Sequence, residues 1–538
     1  MRTTTRIRMT VAGAAALAIG AAALPAAATE PVGLGRYYAQ RIDWHDCALG
    51  PDDTTGRKLD AAGARCADLT VPLDYTDPGG RTITVALSRL PATDPAHRVG
   101  PLLLNDGGPG GPSLGMPLTV GAAMGKVARK YDLIGMDPRF VGRSTPLDCG
   151  WDIGQPVFSA GHDRASFKRS VALQRDLAER CRRTNGDVLP YVTTRNTARD
   201  MDVVRAALGA KRISYLGYSY GSYLGEVYTQ MFPGRTDRVV LDGVIDPGRY
   251  SPTLLAGTEP ANERSLRAWA AWTAARDAWY GLGDTAGAVL ATVDRIQRAA
   301  AEEPLRVGDF RVDEHFVPVV FFAGLASDLD ERRARLATTT QVLARAADRD
   351  PAVRPGPELA ELLEFMTTKA GSQVGSVQTA IICGDVAERR GIDSYWRAVQ
   401  ASRVAYPLAG PLANNISACE FWDRPAEAPT VLDNDVPALL VSATGDPRTI
   451  HAGAVRIRDQ WSRSRLITLP GAIQHGVYGE YGNACADRQV NVYLDTGKLP
   501  SRDLTCDSAR NALEGAAGRG HPTADAPSRQ APTTSTQK

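Results

Sequence analysis

Residues 212–223 read Arg212-Ile213-Ser214-Tyr215-Leu216-Gly217-Tyr218-Ser219-Tyr220-Gly221-Ser222-Tyr223, and this stretch decides the fold. The run 212–216 suits a buried strand, and Ser222–Phe232 suits a helix. Between them Gly217–Gly221 spells G-x-S-x-G. A strand, a tight turn and a helix in that order lift the central serine onto a strained corner above a sheet. Small residues two before and two after Ser219 let the corner close, and the helix N-terminus favours developing negative charge. The pattern alone is common and could be a plain βα turn. Its flanks make Ser219 a candidate nucleophile.

Working outward, short apolar or β-branched runs alternate with helical patterns. The runs are Arg81–Leu90, Pro101–Leu104, Tyr131–Met136, Ile213–Gly217, Val239–Gly243, Pro437–Ser442 and Leu466–Leu469. That alternation predicts an α/β fold with a mostly parallel sheet and crossover helices. From Asp246 to about Pro411 the pattern changes to Ala-, Arg- and Glu-rich segments such as Asn262–Trp279, Gly287–Ala301 and Asp328–Ala347. Phe316–Phe322 is the one strand-like run there. The expected organisation is a leader at 1–28, a first core half at 29–250, a helical lid inserted at 251–410, a second core half at 411–515 and a disordered tail at 516–538.

A serine hydroxyl needs a base to take its proton and a carboxylate to orient that base. In this topology the acid and then the histidine follow the serine in the chain. Of seven histidines only His451, His475 and His521 come late enough, and His521 falls in the tail. Asp446 follows the strand Pro437–Ser442, and His475 follows the next strand in the loop 471–476, so these two are the predicted acid and base. His451 opens the intervening helix and is worse placed. Asn105-Asp106-Gly107-Gly108-Pro109-Gly110-Gly111 follows another strand. Its glycines allow backbone N–H groups to face a substrate oxygen, with the N–H of Tyr220 as the expected partner donor. No G-K-S/T or G-x-G-x-x-G is present, which argues against a phosphate cradle.

Composition sets the outer limits. The 538 residues are 43% hydrophobic and 23% charged with net charge +2, and the charges are scattered. This disfavours a nucleic-acid partner or a polybasic membrane anchor. Arg2, Arg6 and Arg8, an apolar run from Val11 to Leu24 and Ala26-Ala27-Ala28 together read as a cleaved secretion signal. Eight cysteines, Cys47, Cys66, Cys149, Cys181, Cys383, Cys419, Cys485 and Cys506, show no metal-like spacing. In an exported chain they predict disulfides, nearest-neighbour pairing being simplest.

Several motifs in order resemble a known family. They are Gly107-Gly108-Pro109-Gly110, Asp137-Pro138-Arg139 with Gly142-Arg143-Ser144, Gly217–Gly221, Leu241-Asp242-Gly243-Val244, Cys383-Gly384-Asp385, Cys419 with Trp422, and the region 436–506. From about residue 40 to 510 the chain resembles the secreted tripeptidyl aminopeptidases of Streptomyces and related actinobacteria. These are α/β-hydrolases related to proline iminopeptidases. The resemblance implies a cofactor-free, metal-free serine exopeptidase with Ser219, Asp446 and His475 as triad and Gly108 and Tyr220 as oxyanion donors. It implies a peptide with a free N-terminus as partner, and a monomer that is secreted or held at the cell wall. Three residues depart from the family pattern: Asp106, Phe140 and Pro112 bear on the acyl pocket. An exopeptidase must also hold an ammonium, and a Cys383–Cys419 bridge would bring Asp385 and Glu420 together as a clamp; Glu259 and Glu263 are rivals. A secreted esterase with the same triad is the competing expectation. A non-catalytic module is disfavoured because no triad member is missing.

Overall fold

The computed structural model describes residues 33–154 and 156–507, so the expected leader and tail lie outside the described residues. Eleven strands are described: β1 Arg65–Pro72, β2 Thr82–Leu90, β3 Gly100–Asn105, β4 Tyr131–Met136, β5 Ile213–Tyr218, β6 Thr236–Asp242, β7 Leu305–Val307, β8 Phe310–Val312, β9 Ala438–Ala443, β10 Ser464–Leu469 and β11 Leu504–Thr505. Nine of them form one sheet in the order β1-β2-β4-β3-β5-β6-β9-β10-β11. From β4 to β11 every neighbouring pair is parallel. β2 runs antiparallel to both β1 and β4.

The central strands are buried on both faces, as parallel strands sandwiched by helices must be. In β3, Leu103 joins the apolar cluster on one face of the sheet. Leu102 and Leu104 join the cluster on the other. β1 carries no strong run in the sequence. Its outward residues Arg65, Asp68 and Thr70 alternate with the buried Cys66, Leu69 and Val71, as expected of an edge strand with one wet face.

Between β6 and β9 the chain is helical apart from the hairpin β7–β8. Glu259–Ala274, Ala286–Glu302, Val317–Gly324, Asp330–Ala347 and Pro357–Thr367 bury a separate apolar cluster around Trp269, Phe321 and Leu363. Phe316–Phe322 is therefore not a strand. It lies within or beside the helix Val317–Gly324, with Pro318 in the first turn, where a missing N–H costs nothing. Its unbroken apolar character accompanies the burial of Val317–Phe321, while Phe316 and Phe322 are only partly buried. The insertion is also not all lid. Val377, Ala380 and Ile381 of the helix Ser372–Asp385, with Ala418 and Trp422, belong to the sheet's own cluster.

Four disulfides join Cys47–Cys66, Cys149–Cys181, Cys383–Cys419 and Cys485–Cys506. Each closes a loop of 19 to 36 residues. Among the described residues no helix is long and apolar enough to cross a membrane.

Candidate active site

Ser219 stands between β5 and the helix Tyr220–Met231 with φ 54° and ψ −121°, a conformation a non-glycine residue adopts only under constraint. The constraint is visible. Its N–H donates to the Asp242 carbonyl at 2.9 Å, and its carbonyl accepts from the Ser222 N–H at 2.8 Å and hydroxyl at 2.7 Å. A Cβ on Gly217 would lie 2.4 Å from the Gly221 carbonyl oxygen, so the corner closes only with glycine there.

Asp446 lies past the end of β9 and is buried. Its carboxylate accepts from the Arg448 N–H at 2.7 Å, the Thr449 N–H at 3.1 Å and the Thr449 hydroxyl at 2.7 Å. With its orientation so fixed, it faces Nδ1 of His475 at 3.1 and 3.0 Å. A carboxylate only accepts, so Nδ1 donates to it, and in the neutral imidazole Nε2 keeps its lone pair. Thr449 also lies 3.4 Å from Nδ1. Thr449 is a site residue the sequence analysis does not single out, although a threonine three residues after a turn aspartate is a recognisable local motif.

The loop that carries His475 is held from two sides. From the sheet, Oδ2 of Asp242 accepts from the N–H groups of Val477 (2.8 Å) and Tyr478 (2.7 Å). From the lid, residues 326–328 form a short antiparallel bridge with residues 473–475. The His475 N–H donates to the Ala326 carbonyl (2.9 Å), and the Asp328 N–H donates to that of Ile473 (2.7 Å). Asp328 also accepts from the Ile473 N–H at 3.1 Å. Neither anchor carries a signal in the sequence beyond the quoted Leu241-Asp242-Gly243-Val244. Burial pushes the Asp242 carboxyl up to about 7, partly offset by the two N–H donors.

The glycine-rich loop after β3 abuts the corner. A Cβ on Gly107 would lie 3.1 Å from the Tyr220 nitrogen and 3.2 Å from the Ser219 Cβ. Gly107 spends its own N–H on the Asn105 side chain at 3.1 Å. The N–H groups of Gly108 and Tyr220 have no hydrogen-bond partner among the described residues. Tyr220 opens its helix, so its N–H is one of the orphan donors every helix start leaves.

A cleft of about 770 Å³ reaches His475 and Gln474, with Leu329, Leu336 and Phe365 on its wall and Glu331, Glu361 and Glu480 among its charged lining. Asp106 and Glu480 stay solvent-accessible. The surrounding protein raises the pKa of Asp106, against the pull of a His475 charge. It raises Glu480 as well, helped by the Asp106 charge.

Comparison with known proteins completes this picture. Residues 100–287 match the family described as alpha/beta hydrolase fold, and residues 406–506 match that of TAP-like proteins. The chain is 33% identical over 489 residues to the tripeptidyl aminopeptidase of Streptomyces lividans, covering 86% of each. The chain belongs to the tripeptidyl aminopeptidase family. Serine protease Hip1 of Mycobacterium tuberculosis is 29% identical over 503 residues, 87% of this chain and 91% of that one. Carboxylesterase B of the same species is 30% identical over 506 residues, 89% and 94% respectively. The protein is thus an enzyme of the α/β-hydrolase fold, a serine hydrolase of a family with peptidase members.

Within this tripeptidyl aminopeptidase frame, the expected ammonium clamp does not form. The Cys383–Cys419 bridge sets the Cα atoms 5.0 Å apart, but the neighbouring acids diverge. Asp385 turns inward and accepts from the Thr194 N–H (2.7 Å) and hydroxyl and from the Tyr250 hydroxyl (2.8 Å). Burial raises it to about 6. Glu420 turns outward and accepts from the N–H groups of Arg390 (2.9 Å) and Gly391 (3.2 Å). Glu259 is buried against Asn414, and Glu263 pairs with Arg267 at 2.7 Å; neither lines the cleft at His475. His451 contacts the Ser442 hydroxyl at 3.1 Å, away from the Asp446–His475 pair.

The motif departures also sort themselves. Phe140 is buried in the core with φ 70°, keeping the turn that glycine usually makes. Pro112 sits beside Gly142, where a Cβ would lie 3.2 Å away. Of the three, Asp106 alone shares an environment with His475. Asp137 has a scaffolding job: its carboxylate receives the N–H groups of Ser113 (2.7 Å), Leu114 (3.1 Å) and Arg143 (2.9 Å), fixing the far end of the glycine-rich loop. Arg139 is fully buried and bidentate to Asp200 at 2.6 and 2.7 Å.

Proposed function

We propose that this protein is a secreted serine exopeptidase that releases short peptides, tripeptides above all, from the free N-terminus of peptides and proteins through an acyl-enzyme. The observation that carries the reading is the Asp446–His475 pair at 3.0 Å on a loop tied, through Asp242, to the strained Ser219 corner. The named relatives supply the peptidase class.

In this reading Ser219 Oγ attacks the scissile carbonyl while Nε2 of His475 takes its proton. Asp446 keeps the imidazole in the required tautomer and stabilises the imidazolium. The N–H groups of Gly108 and Tyr220 hold the tetrahedral oxyanion, each worth about 3 kcal/mol in comparable sites. His475 returns the proton to the leaving amine. Water, activated by the same base, then releases the acyl group. The ammonium of the substrate needs negative charge within the cleft, and Glu331, Glu361 and Glu480 line it without taking part in ion pairs among the described residues. The leader read at 1–28 and the four disulfides support export.

A second reading, an esterase, draws on one observation: the apolar wall of the same cleft, which includes Leu329, Leu336, Leu359 and Phe365, suits an acyl chain. The carboxylesterase relative points the same way. One experiment separates the two. Purified protein and Ser219→Ala are compared on a tripeptide p-nitroanilide with a free amine, its N-acetylated twin and a p-nitrophenyl ester. Turnover confined to the free amine and abolished by the substitution supports the exopeptidase. Ester turnover with no preference for a free amine transfers the reading to the acylhydrolase.

A further inference from the structure

We infer that Asp242 is a positioning residue that sets the spacing between the Ser219 hydroxyl and the His475 imidazole. The inference rests on the assignment of those two side chains to the reaction. Asp242 ends β6, the strand next to the one that carries Ser219, and is completely buried. It is wired to both partners at once. Its backbone carbonyl accepts the Ser219 N–H at 2.9 Å, the bond that pins the strained corner. Its Oδ2 accepts the N–H groups of Val477 and Tyr478, two and three residues beyond His475.

The next residue extends the same logic. The Gly243 N–H donates to Val441 of β9, the strand that leads to Asp446. A Cβ on Gly243 would lie 3.3 Å from His475 Cε1 and 3.2 Å from the Thr449 hydroxyl, so the imidazole lies against this bare backbone. The segment 241–243 is thus the common reference for nucleophile, base and acid.

The chemistry of the side chain agrees. Two consecutive N–H groups converge on one carboxylate oxygen, while Oδ1 is buried with no partner among the described residues. A buried oxygen without a donor opposes folding. Both hydrogen bonds that the side chain makes therefore run through Oδ2 to the histidine loop. Asp242 touches no reacting atom; its effect is on distance and angle, and displacements of about 1 Å in such pairs cost on the order of 100-fold in rate.

The test uses the full-length protein and the variants Asp242→Ala and Asp242→Asn, with Ser219→Ala as the reference for the underlying assignment. Measured are kcat and KM on the best substrate of the peptide and ester set, the rate at which a fluorophosphonate labels Ser219, and Tm. Asp242→Ala should lower kcat and the labelling rate together by about 100-fold while KM stays within about threefold. Asp242→Asn keeps an oxygen that both N–H groups can reach, and should recover kcat to within about tenfold of the parent. If Asp242→Ala does not fold, Asp242→Ser, whose hydroxyl accepts one of the two bonds, takes its place with the same expectation. A folded Ala or Ser variant with a lowered Tm but an unchanged kcat per labelled site overturns the inference, as does an Asn variant no better than Ala. Activity surviving in Ser219→Ala instead overturns the assignment on which it rests.

Discussion

The sheet and the lid each bury an apolar core of their own, yet they treat the catalytic loop differently. From the sheet side Asp242 grips the residues after His475 with a side chain that is wholly buried. From the lid side Ala326 and Asp328 grip the residues up to His475 mainly through backbone bonds. Arg448, two residues past Asp446, adds to the lid contact by stacking 3.4 Å from the Phe322 ring and donating to Asn262 at 2.9 Å. In the function proposed above, the sheet contributes the reacting groups and the helical insertion contributes part of the frame that keeps one of them in place. Fold and site are therefore not divided between two modules; they meet in one loop.

Substitutions on the two sides should separate these contributions. The largest loss belongs to the core. Ser219→Ala should reduce kcat by on the order of 10⁶-fold with little change in Tm, measured by steady-state kinetics and calorimetry. Asp446→Asn should cost about 10⁴-fold, because an amide permits the wrong tautomer of His475. On the lid side Asp328→Ala removes one of several anchors, and kcat should fall about tenfold with the peptide KM nearly constant. A loss as deep as that of Asp446→Asn would mean that the lid supplies more than a frame.

Stability changes come next. Replacing Cys383 and Cys419 together by serine should cost about 2–4 kcal/mol in a denaturant titration while the activity of the folded fraction persists. The smallest effect is a slope. The Asp385 carboxyl is raised by burial from 3.8 to about 6, so its contribution to stability is complete below about pH 4 and is lost as pH rises through 6. The Tm advantage of the parent over Asp385→Asn should shrink across that window, by an equivalent of up to about 3 kcal/mol. Parallel Tm curves would place the titration elsewhere.

Much of this molecule is legible in its sequence because parallel strands must be apolar on both faces. β3, β5, β9 and β10 are all marked by runs in the sequence; the serine corner follows β5, the acid loop β9 and the histidine loop β10. β1 does not stand out, since an edge strand hides half its signal in water-facing residues. Phe316–Phe322 misleads for the opposite reason: a short helix whose residues are apolar on every face has no polar face to betray its period. The failed clamp is the most instructive case. A disulfide fixes two Cα atoms and leaves side-chain directions free, so Asp385 turns in towards Thr194 while Glu420 turns out to cap a loop. Asp242 and Ala326 were beyond reach because their task depends on backbone donors that every sequence shares.

The bridge between residues 326–328 and 473–475 has a consequence for movement at the site. The helical insertion is stitched to the histidine loop, and lifting it away would break the His475 N–H bond and the two bonds at Ile473. Displacement of the one is therefore coupled to displacement of the other.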